Sequence, residues 1–280
     1  MESQHTLRNA LAFEGVGLHT GADARLRIVP QPAGTGVRFS LDGGAPFAAT
    51  SDAVVETRRA TVLGDGRATV STVEHVLSAL FAMGVDNALL EVEGPEIPVL
   101  DGSAAPYVEA IRATGLVEQA APRARVRLAE PAVFEDGDAT VVLVPADAFR
   151  VRFAVDFAAP VGAQYLDIAP DAETFARELA HARTFGYLHE VEALRAAGLA
   201  RGGTLDNALV FAPDGPLTPL RWPNEVVRHK TLDLIGDFAL LGAWPAFAVV
   251  AIKSGHRLHA KAVAHVRAVS APTVEAAAHV

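Results

Sequence analysis

One segment of this sequence, residues 227–237, places side chains that can bind a metal ion at regular spacing. His229, Asp233 and Asp237 stand four residues apart, so a helix would bring all three to one face. An imidazole and a carboxylate one helical turn apart can hold a single divalent cation. With a third protein ligand, such a site keeps one position open for water, which is typical of a catalytic metal centre. The first hypothesis is therefore a metal-dependent hydrolase.

A candidate for the third ligand lies far upstream, where Glu74 directly precedes His75. A single histidine on a helix is more often a cap or a surface residue than a ligand. The aspartates of residues 227–237 are stronger candidates for metal ligands, because leucine, isoleucine and phenylalanine residues surround them in the sequence. A buried carboxylate is costly unless it binds a cation or is fully hydrogen-bonded. The alternative is a solvated stripe on an amphipathic helix.

The composition excludes several classes of protein. Half of the 280 residues are hydrophobic and 20% are charged, which excludes global disorder and provides enough core for two domains. The formal net charge of -9 argues against nucleic acid as a partner. The absence of cysteine excludes disulfides and thiolate ligands. The longest uncharged run, residues 238–252, is shorter than the roughly 20 residues that span a bilayer. The N-terminus resembles no secretory signal, so we expect a cytoplasmic protein with no integral membrane segment.

The hydrophobic pattern predicts strands and helices in a similar order in both halves of the chain. Alternating or short apolar runs predict strands at 24–29, 34–39, 88–92, 125–128, 140–144, 150–157, 207–211 and 247–253. Longer periodic segments predict helices at 72–83, 106–115, 171–181, 187–197 and 225–241. Ser71 or Thr72 is the expected cap of the first helix.

The order of these elements predicts an α+β protein with a duplicated domain. Residues 73–84 and 227–238 also resemble each other in sequence. Residues 117–125 lack periodicity and contain a proline, which is typical of a linker. We therefore predict one domain at 1–120, a second at 125–270, and a loosely packed tail at 271–280.

Seven sequence blocks, taken together, resemble the UDP-3-O-acyl-N-acetylglucosamine deacetylases of lipid A biosynthesis. They cover nearly the whole chain in the family's order: GVGLHTG (15–21), STVEHVLSAL (71–80), EIPVLDGSAAP (96–106), ARTFG (182–186), GLARGGTLDNA (198–208), VRHKTLDLIGD (227–237) and KSGH (253–256). The resemblance implies two similar α+β domains packed as a sandwich, with the active site between them. It also implies a monomer whose partner is a small-molecule substrate, an acylated UDP-sugar.

The resemblance further implies the reaction and its residues. The family hydrolyses the N-acetyl group with Zn²⁺, which releases acetate in the committed step of lipid A biosynthesis. The matching zinc ligands are His75, His229 and Asp233. The matching catalytic residues are Glu74 as general base, His256 as general acid or oxyanion stabiliser, Asp237 as its orienting partner, and Thr184 beside the tetrahedral intermediate. A paired acid and base predict a bell-shaped pH dependence of the rate.

The resemblance also implies contacts with the substrate. Lys230 and Lys253 match lysines near the sugar and the diphosphate. Phe185 matches an aromatic beside the glucosamine ring, and Phe157 is a candidate uridine contact. An insert at about 187–211 matches a passage for the acyl chain, with Leu188, Val191 and Leu205 in its lining. A bulky substitution in this insert is expected to change the preferred chain length.

Three other functions stay open at this point. The protein could be a zinc amidohydrolase that acts on another N-acyl sugar. It could be a catalytically silent protein that binds a sugar nucleotide or an acyl chain, although a binding protein has no need of a general base such as Glu74. It could also be a duplicated structural protein without a metal. A deacetylation assay combined with metal analysis separates these alternatives.

Overall fold

The computed structural model describes residues 2–274, and all statements of the fold refer to them. The strands of the first half are β1 (Ser3–Leu7), β2 (Leu11–Val16), β3 (Asp23–Pro30), β4 (Val37–Leu41), β5 (Phe47–Ala48), β6 (Val54–Glu56), β7 (Val62–Gly64), β8 (Thr69–Val70), β9 (Ala88–Glu93) and β10 (Leu116–Pro122). Those of the second half are β11 (Arg125–Arg127), β12 (Ala132–Asp136), β13 (Ala139–Pro145), β14 (Arg150–Asp156), β15 (Ala163–Ile168), β16 (Phe185–Tyr187), β17 (Leu209–Ala212), β18 (Gly215–Pro216) and β19 (Trp244–Ile252).

The helices lie between strands along the chain, except the last helix, which follows β19. They are α1 (Glu74–Ala82), α2 (Ala105–Thr114), α3 (Ala172–Glu178), α4 (Val191–Ala196), α5 (Glu225–Ala239) and α6 (His256–Val269), with short 3-10 turns at Ser51–Ala53 and Leu188–Glu190. Within residues 2–274, no helix combines the length and the apolar character that a bilayer crossing requires.

The two halves contain main sheets of the same topology. The first sheet has the order β2-β3-β9-β4-β5 and the second has the order β12-β13-β19-β14-β15. In both, the strand of the sheet that comes last in the chain, β9 or β19, lies in the middle and pairs in parallel with one neighbour, β4 or β14. The other pairs along these two orders are antiparallel, and β11 adds a second parallel pair to β19 in the second sheet. In each half one helix directly precedes the central strand, α1 or α5, and one directly follows it, α2 or α6. The predicted α+β fold with two similar units is therefore confirmed.

The alternating strands bury one face, as the period-two pattern requires. Leu26 and Ile28 of β3 are buried, and so are Phe153 and Val155 of β14, while the residues between them are exposed or half-buried. Helices cover the buried faces. The helix α1 is buried along its whole length, and it packs directly against α5 of the other half.

A glycine allows α1 and α5 to approach each other at the point where the site forms. A methyl group at Gly236 of α5 would overlap the carbonyl oxygen of Glu74, the first residue of α1. The contact is between two backbones, so a flexible side chain cannot relieve it. This crossing brings the beginning of α1 next to the middle of α5, and with it residues that lie more than 150 positions apart.

Substituting Gly236→Ala is expected to destabilise the protein, although helix propensity alone predicts the opposite. Alanine in a helix is favoured over glycine by about 1 kcal/mol, but overpacking at this crossing costs about 1–3 kcal/mol. The accompanying displacement of Glu74 should lower kcat by about 100-fold. Urea unfolding and steady-state kinetics measure both quantities. Equal or higher stability in the variant would show that the crossing tolerates a side chain.

Three local expectations differ from the structure. Residues 117–125 were predicted as a linker, but most of them belong to β10, which pairs antiparallel with β1. No local pattern reveals this pairing, because its partner lies more than 100 residues away. Neither Ser71 nor Thr72 caps α1; the Thr72 hydroxyl instead donates to Glu96. The helix α3 ends at Glu178, whereas the pattern predicts it to about residue 181.

The predicted tail is only partly described. Thr273 pairs with Arg125 through two backbone hydrogen bonds of 2.8 Å, so this part is attached to the second half. Residues 275–280 lie outside the described part of the chain. The domain limits of 1–120 and 125–270 stay a prediction.

Candidate metal centre and active-site pocket

The crossing of α1 and α5 brings three potential metal ligands together. His75 is the second residue of α1, and His229 and Asp233 lie one turn apart on α5. The Asp233 Oδ1 atom is 3.4 Å from Nε2 of His229 and 3.7 Å from Nε2 of His75. The three ligand atoms all lie within 4.8 Å of one another, and all three side chains are buried. This group is hereafter called the His75–His229–Asp233 triad.

The bonding of Asp233 and His229 fits a metal ion at the triad. Asp233 Oδ2 accepts a hydrogen bond from Lys230 Nζ at 2.8 Å, whereas its Oδ1 is buried without a hydrogen-bond partner. Leaving such an oxygen unpaired is costly unless a cation occupies the space before it. His229 Nδ1 lies 3.0 Å from the carbonyl oxygen of Ala182, so this nitrogen carries the proton and Nε2 presents its lone pair. Two imidazoles and one carboxylate suit a divalent transition metal.

The pKa shifts favour the protonation states that bind metal. Burial lowers the pKa of His75 to about 3, and the neighbouring His229 acts in the same direction. Burial also lowers the pKa of His229. For Asp233 burial has the opposite effect, but His229 and Lys230 outweigh it and hold the pKa far below its usual value. The triad therefore offers neutral imidazoles and an ionised carboxylate, the forms that coordinate metal ions.

Glu74 lies next to the triad and faces a histidine. Its Oε2 accepts a hydrogen bond from the Thr61 amide at 3.2 Å, and its Oε1 is 3.9 Å from His256 Nε2. Burial raises the pKa of Glu74 to about 8, His256 opposes this rise, and the Asp233 and Asp237 carboxylates add to it. A carboxyl group with a raised pKa inside a cleft is a typical general base.

Asp237 binds His256 at the ring nitrogen that faces away from Glu74. The His256 Nδ1 atom lies 2.8 Å from Asp237 Oδ2, so Nε2 points towards Glu74. Burial alone would lower the pKa of His256, but the charges of Asp237 and Glu74 raise it to about 9. Asp237 itself keeps a pKa far below its usual value, because His256 and His259 outweigh the effect of burial. His256 is therefore a cation that can donate a proton from Nε2.

A pocket of about 270 Å³ opens onto these groups. Most of the predicted site residues line it: Glu74, His75, Phe157, Thr184, Phe185, His229, Lys230, Asp233 and His256. Asp237 lies behind His256. The rings of Phe157 and Phe185 meet edge to face at 5.2 Å, which forms an aromatic wall.

Four predicted substrate contacts lie outside this lining. Lys253 Nζ pairs with Asp156 at 3.0 Å and with Asp138 at 3.2 Å. Leu188 and Leu205 are each 45% exposed, and Val191 is half-buried on α4. Their proposed contacts with the diphosphate and the acyl chain are therefore not part of the pocket as it stands.

Several residues of the site were not predicted from the sequence. The lining also includes Leu18, His19, Arg59, Thr72, Gly186, Tyr187 and Glu190. The buried Glu96 joins two of their segments, since it accepts hydrogen bonds from the His19 amide and the Thr72 hydroxyl. No local signal reveals this link. His259, which contacts Asp237, could have been found, because it lies three residues after His256 on the same helix face.

The fold and the site together define the class of a metal-dependent hydrolase. A buried His₂Asp triad with an adjacent glutamate, set at the crossing of two duplicated α+β units, is the basis for this assignment. The comparison with known proteins then identifies the family. The sequence model described as UDP-3-O-acyl N-acetylglycosamine deacetylase matches residues 4–268, and the chain belongs to this family of deacetylases.

Relatives of this chain carry the name UDP-3-O-acyl-N-acetylglucosamine deacetylase. The protein of Nostoc sp. is 46% identical over 278 residues, which cover 95% of this chain and 99% of that protein. The protein of Phenylobacterium zucineum is 46% identical over 264 residues, with 91% and 90% covered. That of Acidithiobacillus ferrooxidans is 45% identical over 267 residues, with 92% and 88% covered.

Proposed function

We propose that this protein hydrolyses the N-acetyl group of UDP-3-O-acyl-N-acetylglucosamine, with Zn²⁺ as its metal, in lipid A biosynthesis. The products are acetate and UDP-3-O-acyl-glucosamine. We expect a monomer that acts in the cytoplasm. The observation that carries the proposal is the unpartnered Asp233 Oδ1, which lies between two imidazoles beside Glu74. Family membership supports the choice of substrate.

The triad would hold the metal ion through His75 Nε2, His229 Nε2 and Asp233 Oδ1. Bound there, a divalent ion supplies Lewis-acid polarisation of the acetyl carbonyl, lowers the pKa of a neighbouring water and favours the ionised form of Glu74. Lys230 neutralises the second oxygen of Asp233, and the Ala182 carbonyl keeps His229 in the required tautomer. Among divalent ions, Zn²⁺ suits this small set of nitrogen and oxygen ligands.

Glu74 would act as the general base. One of its oxygens takes a proton from the water that attacks the acetyl carbon, while Thr61 holds the other oxygen. The water oxygen forms a bond to the carbonyl carbon, and the carbonyl oxygen becomes an oxyanion. Thr184 lines the same pocket, and its hydroxyl would donate to this oxyanion.

His256 would complete the reaction as the general acid. Its cationic ring opposes the charge of the oxyanion, and its Nε2–H then gives a proton to the departing amine as the carbon–nitrogen bond breaks. The distance of 3.9 Å between His256 Nε2 and Glu74 Oε1 supports this pairing of an acid with a base. Cleavage of the carbon–nitrogen bond then gives acetic acid and the free amine of the sugar. The acid ionises to acetate, and return of the proton from Glu74 to His256 restores both groups.

The remaining substrate contacts belong to the same proposal. The aromatic wall of Phe157 and Phe185 is suited to sugar and base rings, and Lys230, which lines the same pocket, would lie near the sugar. Lys253 would reach the diphosphate by exchanging its partners Asp138 and Asp156 for it. The insert at 187–211, with Leu188, Val191 and Leu205, would receive the acyl chain, since exposed apolar side chains can pack against it.

The pH dependence tests the role of His256. Its proton is present below its pKa and is lost as the pH rises, so the basic limb of kcat/KM reports this group. Because the Asp237 charge raises that pKa, Asp237→Asn should move the basic limb to lower pH by about 1 to 3 units. Measurement of kcat/KM for acetate release across the pH range locates the basic limb in both proteins. A basic limb that does not move would remove the assigned role of the pair.

The reaction itself is tested with the purified, zinc-loaded protein. Acetate release is measured from UDP-3-O-acyl-N-acetylglucosamine, from UDP-N-acetylglucosamine and from simple N-acetylglucosamine derivatives. We expect the acylated nucleotide sugar to have by far the highest kcat/KM. Equal rates with the simple derivatives would support an amidohydrolase for another N-acyl sugar. Metal binding and substrate binding without acetate release would support a binding protein.

A further inference from the structure

The Asp237 carboxylate serves more than one histidine. Its Oδ2 is 2.8 Å from Nδ1 of His256 and 2.7 Å from Nδ1 of His259. Its Oδ1 accepts the Thr61 hydroxyl at 2.5 Å. All these side chains are buried. One carboxylate thus accepts three donors in a space without solvent, and only one of them, His256, faces the pocket.

The tautomer of His259 follows from its two neighbours. An ionised carboxylate can only accept, so His259 Nδ1 must carry a proton. The other ring nitrogen, Nε2, lies 2.8 Å from the Ser254 hydroxyl. Burial lowers the pKa of His259, so the ring is neutral and Nε2 accepts the hydrogen bond from Ser254. The ring is therefore held at both nitrogens, and its 0% exposure leaves no solvent alternative.

We propose that His259 is a positioning residue for the reaction, which holds the Asp237 carboxylate in the orientation that His256 requires. This inference rests on the proposed function, since His256 is the group that it serves. His259 lies one turn after His256 on α6, so both rings reach the same oxygen from one helix face. Ser254 precedes that helix and keeps the His259 Nδ1–H directed at Asp237.

The geometry explains why His259 affects catalysis and not only packing. Without His259, the Asp237 carboxylate would be held by the Thr61 hydroxyl at Oδ1 and at Oδ2 only by the His256 ring that it has to orient, so that ring and carboxylate could turn together. The His259 bond keeps the second oxygen in place, so Oδ2 stays directed at His256 Nδ1. Without it, the ring of His256 would lose the fixed direction of its Nε2–H. The metal triad makes no contact with His259 in the described hydrogen bonds, so metal binding should be independent of it.

Three substitutions of His259 separate donor position from packing. In His259→Asn the amide nitrogen stands where Nδ1 stands, in His259→Gln it stands near the place of Nε2, and His259→Leu has no donor. We expect the Gln and Leu variants to lose kcat by about 10- to 100-fold with little change in KM. The Asn variant should keep kcat within about 3-fold of the original protein.

The same variants contain the result that would overturn the proposal. If Asn, Gln and Leu lower kcat equally and in step with the loss of unfolding free energy, His259 has only a packing role. If none of them changes kcat, it has no role in the reaction. A further variant, Ser254→Ala, removes the hydroxyl that donates to His259 Nε2, so the ring stays in place but its tautomer is no longer fixed. We expect this variant to lose less kcat than His259→Leu. An unchanged kcat would contradict the part assigned to Ser254.

A measurement without substrate tests the arrangement independently of the activity. Nitrogen NMR of the histidine rings in the purified, zinc-loaded protein should show His259 neutral, with its proton on Nδ1. A proton on Nε2, or a cationic His259, would overturn the inference. If the tautomer is as expected and the unmodified protein releases no acetate from any N-acetyl sugar, the proposed function fails while the hydrogen-bond arrangement is supported.

Discussion

Replacing Glu74 by glutamine is expected to lower kcat by about 1,000-fold, within the range of general-base contributions. Glutamine has nearly the same size, and its amide oxygen can still accept the hydrogen bond from the Thr61 amide. It cannot take a proton from water. The triad is untouched by the change, so the variant should retain its metal. Steady-state rates of acetate release and elemental analysis of the same preparation measure both effects.

Two controls make the Glu74 result specific. Glu109→Gln changes an exposed glutamate on α2, outside the pocket, and should leave kcat as it is. Loss of metal from Glu74→Gln would show that the carboxylate acts as a ligand. A kcat close to that of the original protein would remove Glu74 as the base. His256→Ala is expected to retain metal and to lose most turnover in the same way.

Removing the metal is expected to abolish acetate release, and added Zn²⁺ should restore it. The triad would then be left with a buried carboxylate oxygen that has no partner, so stability should fall as well. The free energy of unfolding decreases by about 4 kcal/mol when a ligand present at 1,000 times its Kd is removed. Calorimetry of the protein before and after chelation measures this change, and activity after reloading shows whether it is reversible.

Substitution of a triad residue should reproduce the effect of chelation. His229→Gln is expected to lose both metal and turnover, since glutamine is a poor ligand and also loses the hydrogen bond to Ala182. His265→Gln on α6 is the matched control, because that ring packs against Phe134 and lies outside the pocket. Full activity after chelation, in a preparation shown to contain no metal, would contradict the proposed chemistry.

A large part of the site is encoded locally. His229, Asp233 and Asp237 stand four residues apart, so any α-helix that includes them places all three side chains on one face. The helix α5 includes them. The apolar residues around these positions correctly indicate burial. The Glu74–His75 pair places a second candidate ligand beside a candidate base. Alternation along β3 and β14 likewise predicts their buried faces, because side-chain direction in a strand depends only on position.

Other features depend on contacts between distant segments. The pairing of β10 with β1 and the link from Glu96 to His19 and Thr72 join residues that no local pattern relates. Asp237 can accept hydrogen bonds from both His256 and His259 only when α5 and α6 pack against each other in one particular register. The sequence identifies side chains that can form these contacts, but it does not show which partners they meet.

The sequence by itself determined which faces of the helices and strands are apolar and which residue types can bind a metal or move a proton. Periodicity carries this information because it depends only on neighbouring residues. The tertiary structure decided that His75 meets α5 at all, through the close crossing at Gly236. It also decided which nitrogen of each histidine faces the pocket, since a buried partner such as Ala182 or Asp237 fixes the tautomer.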